Sequence, residues 1–253
     1  MAINHYLEWD NPLGFNKLMR SIDLIPLQKG QKVIDFGSGN GRIPLLISEK
    51  YGTHSTLNEL DSATLVNAKN LFESKGFENR VEYLEGEAEA QLGHLNNMNK
   101  LSTFDLAMCL GSTHVFGGYA KTLAALKQCC KPNGYVMIAD AFWKRPPPKE
   151  LRDQFWNAPE DDLITDHNTN IENGVSADLV PLYATVASDD DYNDYEWLNN
   201  LPVVSQLADR FPEKEAVEKY KKVTYWLNGY NRLGRDYVGF GLYLFKNSSL
   251  RKS

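Results

Sequence analysis

The sequence predicts an α/β fold in which a mostly parallel sheet is doubly wound, with helices on both faces. Three observations carry that expectation. Apolar, strand-like runs alternate with stretches of helical period from Val33 to Asp140. The first run, Val33-Ile34-Asp35-Phe36, enters a glycine-spaced turn, Gly37-Ser38-Gly39-Asn40-Gly41-Arg42, ahead of an apolar helical stretch. The run Phe104 to Leu110 is almost continuously apolar, as a central strand covered on both faces requires.

In chain order, Tyr6, Leu7 and Trp9 come first, then the turn cluster Asp10-Asn11-Pro12-Leu13-Gly14. Phe15, Leu18, Met19, Ile22 and Ile25 recur at helical spacing and predict a helix covering one edge of the sheet. The segment before that helix has a second reading, as a strap closing over a ligand. At the glycine turn, residues without Cβ accept positive φ and let a ligand approach the backbone. The helix from Ile43 to Tyr51 aims its free N–H groups and positive dipole end into the turn. The spacing narrows the ligand. A dinucleotide fingerprint is G-x-G-x-x-G, but Gly37, Gly39 and Gly41 give G-x-G-x-G, and no G-K-[ST] ending follows. Asp35 stands two places before Gly37. A phosphate cradle has no use for a carboxylate at its mouth, whereas a ligand with a cationic amino group does.

Ser55 to Asp61 reads as a second strand ending in acid. Glu59 falls about twenty residues beyond the turn, where a doubly wound fold places the carboxylate that accepts from a ribose diol. Asp61 or Ser62 caps a helix whose apolar face is Leu65, Ala68, Leu71 and Phe72 and which Gly76 ends. Arg80 to Ala88 alternates as a third strand and closes on Gly86-Glu87-Ala88, with Glu85 and Glu89 as solvated charges. The fourth strand, Phe104 to Gly111, leads into Ser112-Thr113-His114-Val115-Phe116-Gly117-Gly118. His114 is the one histidine with a case for chemistry, since an unperturbed imidazole titrates near neutrality. Tyr119 to Cys130 predicts an amphipathic helix with Leu123, Leu126 and Cys130 on one face. Lys131-Pro132-Asn133-Gly134 stops it before a fifth strand, Tyr135 to Asp140.

The second half is less periodic. Trp143 leaves strand five into Lys144-Arg145 and three prolines, on the ligand side by topology, either stacking on a substrate or packing a cap onto the core. Leu151, Phe155 and Trp156 suggest a short helix, and residues 158–178 mix helix and loop. Leu182 to Ser188 reads as strand six, running into Asp189-Asp190-Asp191. A calcium loop needs alternating ligands, a glycine and a distal Glu, so an acidic helix N-terminus explains the run better. Tyr192, Tyr195, Trp197 and Leu198 make an aromatic face, buried under a cap or turned to a substrate pocket. Helical, charged sequence continues from Val203 to Tyr225, and Tyr237 to Phe245 is the final strand.

Val33 to Gly41 resembles the first motif of class I S-adenosylmethionine-dependent methyltransferases. Gly86-Glu87-Ala88 is similar to that family's Gly-Asp-Ala segment at the adenine, with Glu87 carrying the acid on a longer side chain. The apolar strand ending at Gly111 resembles the fourth motif. Lys131-Pro132-Asn133-Gly134 resembles the Lys-Pro-Gly-Gly turn, where Asn tolerates the left-handed backbone. The resemblance covers roughly 30–145. The Asp189–Glu196 run, the Trp143-Lys144-Arg145-Pro exit and the loop around His114 also look like one bacterial subgroup expected to act on small molecules.

The resemblance implies a Rossmann-like, doubly wound, seven-stranded sheet, mostly parallel with an antiparallel last strand, plus a helical cap. It implies S-adenosyl-L-methionine as cofactor and SN2 methyl transfer to a small-molecule acceptor. The cofactor residues carried over are Asp35, Gly37, Ser38, Gly39, Gly41, Glu59, Leu60, Glu87, Ala88, Leu110 and Gly111, with His114 handling the acceptor's proton. The expected organisation is an N-terminal helical segment (1–29), a cofactor-binding core (30–145), remaining core elements and a lid insertion (146–236) and a final strand (237–247). Residues 1–15 and the insertion are expected to close the pocket.

Composition bounds the alternatives. At 253 residues and 42% hydrophobic, the chain holds enough apolar material for one sizeable core. A net charge of −6 argues against a nucleic-acid or anionic-membrane surface, and no base-amine Asn/Asp-Pro-Pro-Tyr/Phe motif follows strand four. No apolar run approaches a membrane span. Cys109, Cys129 and Cys130 lack disulfide or zinc spacing, which with the absence of a signal pattern suggests a cytoplasmic setting and no metal. Two rivals stay open, a nucleotide-dependent oxidoreductase of related fold and a non-catalytic binder of the same cofactor. The oligomeric state and the acceptor are not fixed by the sequence.

Overall fold

The computed structural model describes residues 9–152 and 165–248. Seven strands form one sheet in the order β3-β2-β1-β4-β5-β7-β6. These are β1 (Lys32–Phe36), β2 (His54–Glu59), β3 (Val81–Glu85), β4 (Phe104–Leu110), β5 (Cys130–Trp143), β6 (Val180–Val186) and β7 (Val238–Lys246). The first five run parallel, and β7 lies antiparallel between β5 and β6. Asp35 on β1 is flanked by Leu57 of β2 and Met108 of β4.

Helices α1 (Phe15–Asp23), α2 (Arg42–Tyr51) and α3 (Ser62–Ser74) cover one face. Leu18 and Ile22 of α1 and Ile43 and Ile47 of α2 are buried there against Val33, Met108, Met137 and Phe240. Leu65, Ala68 and Phe72 form the buried stripe of α3, and Ala68 and Phe72 close over Leu45 and Leu57. The other face carries α4 (Ala88–Asn97), α5 (Tyr119–Cys129) and α7 (His167–Ser176), whereas α6 (Lys149–Leu151) is a single turn whose Leu151 is buried on the face of α1 and α2. Leu95, Leu123 and Leu126 are buried there against Ile34, Phe36, Ile138 and Phe245. Between β6 and β7 stands a helical hairpin, α8 (Asp189–Ala208) and α9 (Lys214–Gly229), followed by a π-helical turn (Tyr230–Gly234) and α10 (Arg235–Tyr237).

Several boundaries differ from the sequence expectation. Strand five is longer, from Cys130 to Trp143, because Lys131–Gly134 bulges within the strand instead of standing outside it. Asn133 takes φ +64° at that bulge, and Asn247 braces it by donating Nδ2 to the carbonyls of Cys130 and Lys131, each at 3.1 Å. Cys130 therefore opens β5 rather than closing the helix face. Strand six starts at Val180, so it includes Pro181, which this edge position tolerates. The charged helical stretch divides into α8 and α9 around Phe211-Pro212. Tyr6, Leu7, Phe155, Trp156 and residues 158–164 lie outside the described residues. No helix among those described is long and apolar enough to cross a membrane.

Candidate functional site

Strand order reverses between β1 and β4, and a doubly wound sheet opens a crevice outside the carboxyl ends of such a pair. A cleft of about 330 Å3 occupies that position. Its floor is Asp35, the glycine turn and Leu110, and its wall is Glu59 and Asp61 at the end of β2. Trp9, Asp10 and Asn11 cross its rim as a strap.

Asp35 is 3% exposed, and its Oδ1 has no hydrogen-bond partner. Burial pushes its carboxyl well up, and the nearby charge of Glu59 adds to the rise. Ser38 Oγ is likewise buried without a partner. Such atoms are costly unless a ligand completes them. Gly37 has φ +67°, and a Cβ there would stand 2.5 Å from Ser112 Cβ, so only glycine lets the turn meet the loop after β4. Gly39 N donates to Glu59 Oε2 at 3.0 Å, tying the turn to β2. Glu59 Oε1 accepts from Leu60 N at 2.9 Å and Asp61 N at 3.2 Å. Asp61 caps α3 through Thr64, which holds its carboxyl below the usual range.

The strap is locked into a compact shape. Trp9 Nε1 donates to the Leu13 carbonyl at 2.9 Å, and Leu13 N donates to Asn11 Oδ1 at 3.1 Å. Asn11 Nδ2 reaches the Leu110 carbonyl at 3.3 Å, across the end of β4. Asp10 faces Glu59, and the loss of water around it together with that neighbouring charge pushes its carboxyl up. The cleft is therefore lined by four carboxylates, Asp10, Asp35, Glu59 and Asp61, and by no lysine or arginine among the described residues.

Of the expected cofactor residues, Asp35, Gly37, Ser38, Gly39, Glu59 and Leu110 meet in this cleft. Gly111 lies between the lining residues Leu110 and Ser112, packed beneath Asn11. Gly41 faces the other way. Its φ is +73°, and a Cβ there would stand 3.0 Å from Ala68 Cβ and 3.1 Å from Leu57 Cδ1, so it seats α2 against β2 and α3. Leu60 is exposed and lies outside the lining. Glu87, exposed, and Ala88, buried, begin α4 at the end of β3, outside the lining. His114 is exposed on a 3-10 turn (Thr113–Phe116) and also lies outside the lining. Its neighbour Thr113 bonds through Oγ1 to Asp140 Oδ2. Burial pushes the Asp140 carboxyl up, while Thr113, Ala141 N and the charge of His114 pull it back.

The cap contributes a second polar cluster. Tyr192 is buried, stacked on Tyr230 at 5.5 Å and edge-on to Tyr195 at 6.3 Å. Glu196 is buried beside them and accepts from Trp226 Nε1 at 2.7 Å. Burial pushes the Glu196 carboxyl up, and that bond opposes the rise. Trp197 points elsewhere and is half exposed, so the aromatic face expected on this helix is split. Trp143 is buried in the core, as the packing reading requires. The run Asp189–Asp191 forms the first turn of α8, with Ser188 and Asp191 making a capping box. No group of three or more ligating side chains is placed to hold a metal among the described residues. Asp10, Asn11 and Glu196 were not singled out by the sequence. The turn cluster at 10–14 was the one signal for the first two.

Residues 27–200 match a family model described as a methyltransferase domain. Among curated proteins the chain is 27% identical over 140 residues to the uncharacterized protein YjhP of Escherichia coli K12, covering 55% of this chain and 54% of that one. The match thus spans about half the length of that relative. The X-ray structure of YjhP superposes with a TM-score of 0.82 at 20% identity, covering 96% and 97% of the two chains. A methyltransferase from Thiobacillus denitrificans, described as S-adenosylmethionine-dependent and crystallised with S-adenosyl-L-homocysteine, superposes with a TM-score of 0.80 at 22% identity, covering 94% and 93%.

Proposed function

Because the chain belongs to the methyltransferase-domain family matched over residues 27–200, we propose that it is an S-adenosylmethionine-dependent enzyme transferring methyl to a small-molecule acceptor by SN2 displacement. The observation that carries this reading is the acidic cleft with two buried, unpartnered polar atoms, Asp35 Oδ1 and Ser38 Oγ. Both fit the amino-acid end of the cofactor, whose ammonium compensates the buried carboxylate. When bound, the cofactor supplies a methyl group on a sulfonium, a good leaving group.

The chain's own residues then have separate tasks. Asp35 holds the ammonium, and Gly37, Ser38 and Gly39 offer a close backbone surface to the methionine part. Glu59 uses its remaining lone pairs for the ribose hydroxyls while Gly39 N and Leu60 N keep it oriented. Leu60, Glu87 and Ala88 border the adenine region, and Gly41 acts from behind by fixing α2. Leu110 and Gly111, at the end of β4, face the transferred group. Alignment and exclusion of water are the main demands of such a transfer, and the strap serves both. His114, beside Asp140, receives or directs the acceptor's proton. An anionic macromolecule such as a nucleic acid is disfavoured by the net charge of −6.

Calorimetric titration with S-adenosylmethionine, S-adenosylhomocysteine and NAD tests the reading. Binding of the first two with none of the third supports it, and binding of NAD alone overturns it. Glu59→Ala is expected to weaken the cofactor by about tenfold or more, and unchanged affinity would remove the ribose role. His114→Ala is expected to keep cofactor affinity and lose turnover. Loss of neither would take His114 out of the chemistry.

A further inference from the structure

A second cavity, of about 240 Å3, lies between the strap and the first turns of α8. Trp9 and Asn11 belong to its lining and to that of the cleft, so the two adjoin along a single segment of chain, and Asn11 Nδ2 lies 3.3 Å from the Leu110 carbonyl. One wall is Phe15, 47% exposed, with its ring stacked on Trp9 at 6.1 Å. Tyr195 belongs to the facing wall, on α8. The charged side chains of the lining are both acidic, Asp191 and Asp194. Asp191 is already engaged by Lys17 at 2.6 Å and by Ser188 N at 2.9 Å. Asp194 is exposed and makes no hydrogen bond or ion pair among the described residues. Burial pushes the Tyr195 hydroxyl up to about 12, and the charges of Glu196 and Asp10 act in the same direction.

We propose that this groove is the acceptor subsite and that the acceptor is a small organic amine, bound as its ammonium ion. The inference rests on the methyltransferase reading and narrows its substrate class. Aromatic faces at Phe15, Trp9 and Tyr195 attract a cation through their ring quadrupoles, and Asp194 supplies a carboxylate with no competing partner among the described residues. An anionic acceptor would face Asp194 with no basic side chain in the lining among the described residues. The volume lies just below that of drug-sized sites, which suits a metabolite of few heavy atoms. The shared wall at Trp9 and Asn11 keeps acceptor and donor adjacent. For transfer, the ammonium first gives up one proton, which His114 receives or directs to water. Its freed lone pair then forms the N–C bond as the C–S bond breaks, with those electrons remaining on sulfur as the thioether.

The test uses protein saturated with S-adenosylhomocysteine, so that the acidic donor cleft is filled. Choline, whose charge does not titrate, and its neutral isostere 3,3-dimethylbutan-1-ol are titrated in separate calorimetric runs. Choline is expected to bind at least tenfold tighter than the isostere. Asp194→Asn and Phe15→Leu are expected to weaken choline about two- to fivefold each, with S-adenosylhomocysteine affinity and Tm unchanged in Asp194→Asn, which lies at an exposed position. Equal binding of choline and isostere, absence of choline binding, or indifference to both variants would overturn the proposal while leaving the donor assignment standing. Failure of S-adenosylhomocysteine to bind, with choline binding still dependent on Asp194, would keep the cation site and remove its role as acceptor subsite.

Discussion

A carboxylate 3% exposed, with one oxygen unpartnered, costs stability whenever it is ionised. Asp35 has a raised pKa in the folded chain, so the native state holds this proton more tightly than the unfolded state. The penalty is absent below the unfolded pKa and grows as pH rises toward the folded one. Asp35→Asn is therefore expected to raise the Tm of the ligand-free protein at neutral pH, by an amount corresponding to about 1–3 kcal/mol. The same substitution is expected to weaken S-adenosylmethionine about 10- to 100-fold, because a neutral amide cannot compensate an ammonium. In the parent protein, cofactor affinity is expected to rise with pH as Asp35 loses its proton, and the variant's profile should be flatter. Thermal unfolding and calorimetry across pH check both signs, and a Tm that falls in the variant would contradict the cost assigned to Asp35. Asp35 and Glu59 were legible because each occupies a fixed offset from the glycine turn. Asp10 and Asn11 were not, since nothing in a turn cluster says which distant strand end it will fold across.

Among the elements, α7 and β7 meet at Gly174, where a Cβ would stand 2.1 Å from the Phe245 ring. Alanine gains about 1 kcal/mol of helix propensity over glycine, but overpacking against a buried ring costs about 1–3 kcal/mol. Gly174→Ala is therefore expected to destabilise, and a midpoint shift to lower urea would show it. At the start of α8, Ser188→Ala removes the cap from Asp191 N and is expected to cost about 1 kcal/mol. It would also loosen Asp191, whose carboxylate pairs with Lys17 of α1. Strands β1 and β4 and helix α8 could be read from local pattern, because apolar runs and an acidic first turn are local signals. The longer β5 could not, because a bulge continues a strand only when a neighbour, here β7 with Asn247, is present to pair with it.

For the whole molecule, the cleft exists because the strand order turns back between β1 and β4, which no single segment encodes. Alternating elements made a doubly wound sheet legible, and the family resemblance supplied the antiparallel last strand. How the α8–α9 hairpin sits over that sheet was not legible, since its contacts join residues far apart in sequence, such as Lys144 with Asp189 at 2.7 Å. A ligand that binds only the folded chain should stabilise all of it at once. S-adenosylhomocysteine at about 100 times its Kd is expected to add about 2.7 kcal/mol to unfolding, a gain that Asp35→Asn should cut to about 0.4–1.4 kcal/mol at the same concentration in a thermal-shift measurement.

The three thiols give this molecule a built-in clock. Cys109, Cys129 and Cys130 are all buried, and burial pushes the thiols of Cys129 and Cys130 up to about 12 and that of Cys109 well above its ordinary value. An alkylating reagent needs thiolate and access, so in the native protein it reacts chiefly through transient opening of β4, β5 and the end of α5. The labelling half-times then time the breathing of β4, of β5 and of the end of α5, thiol by thiol, without any probe having been introduced.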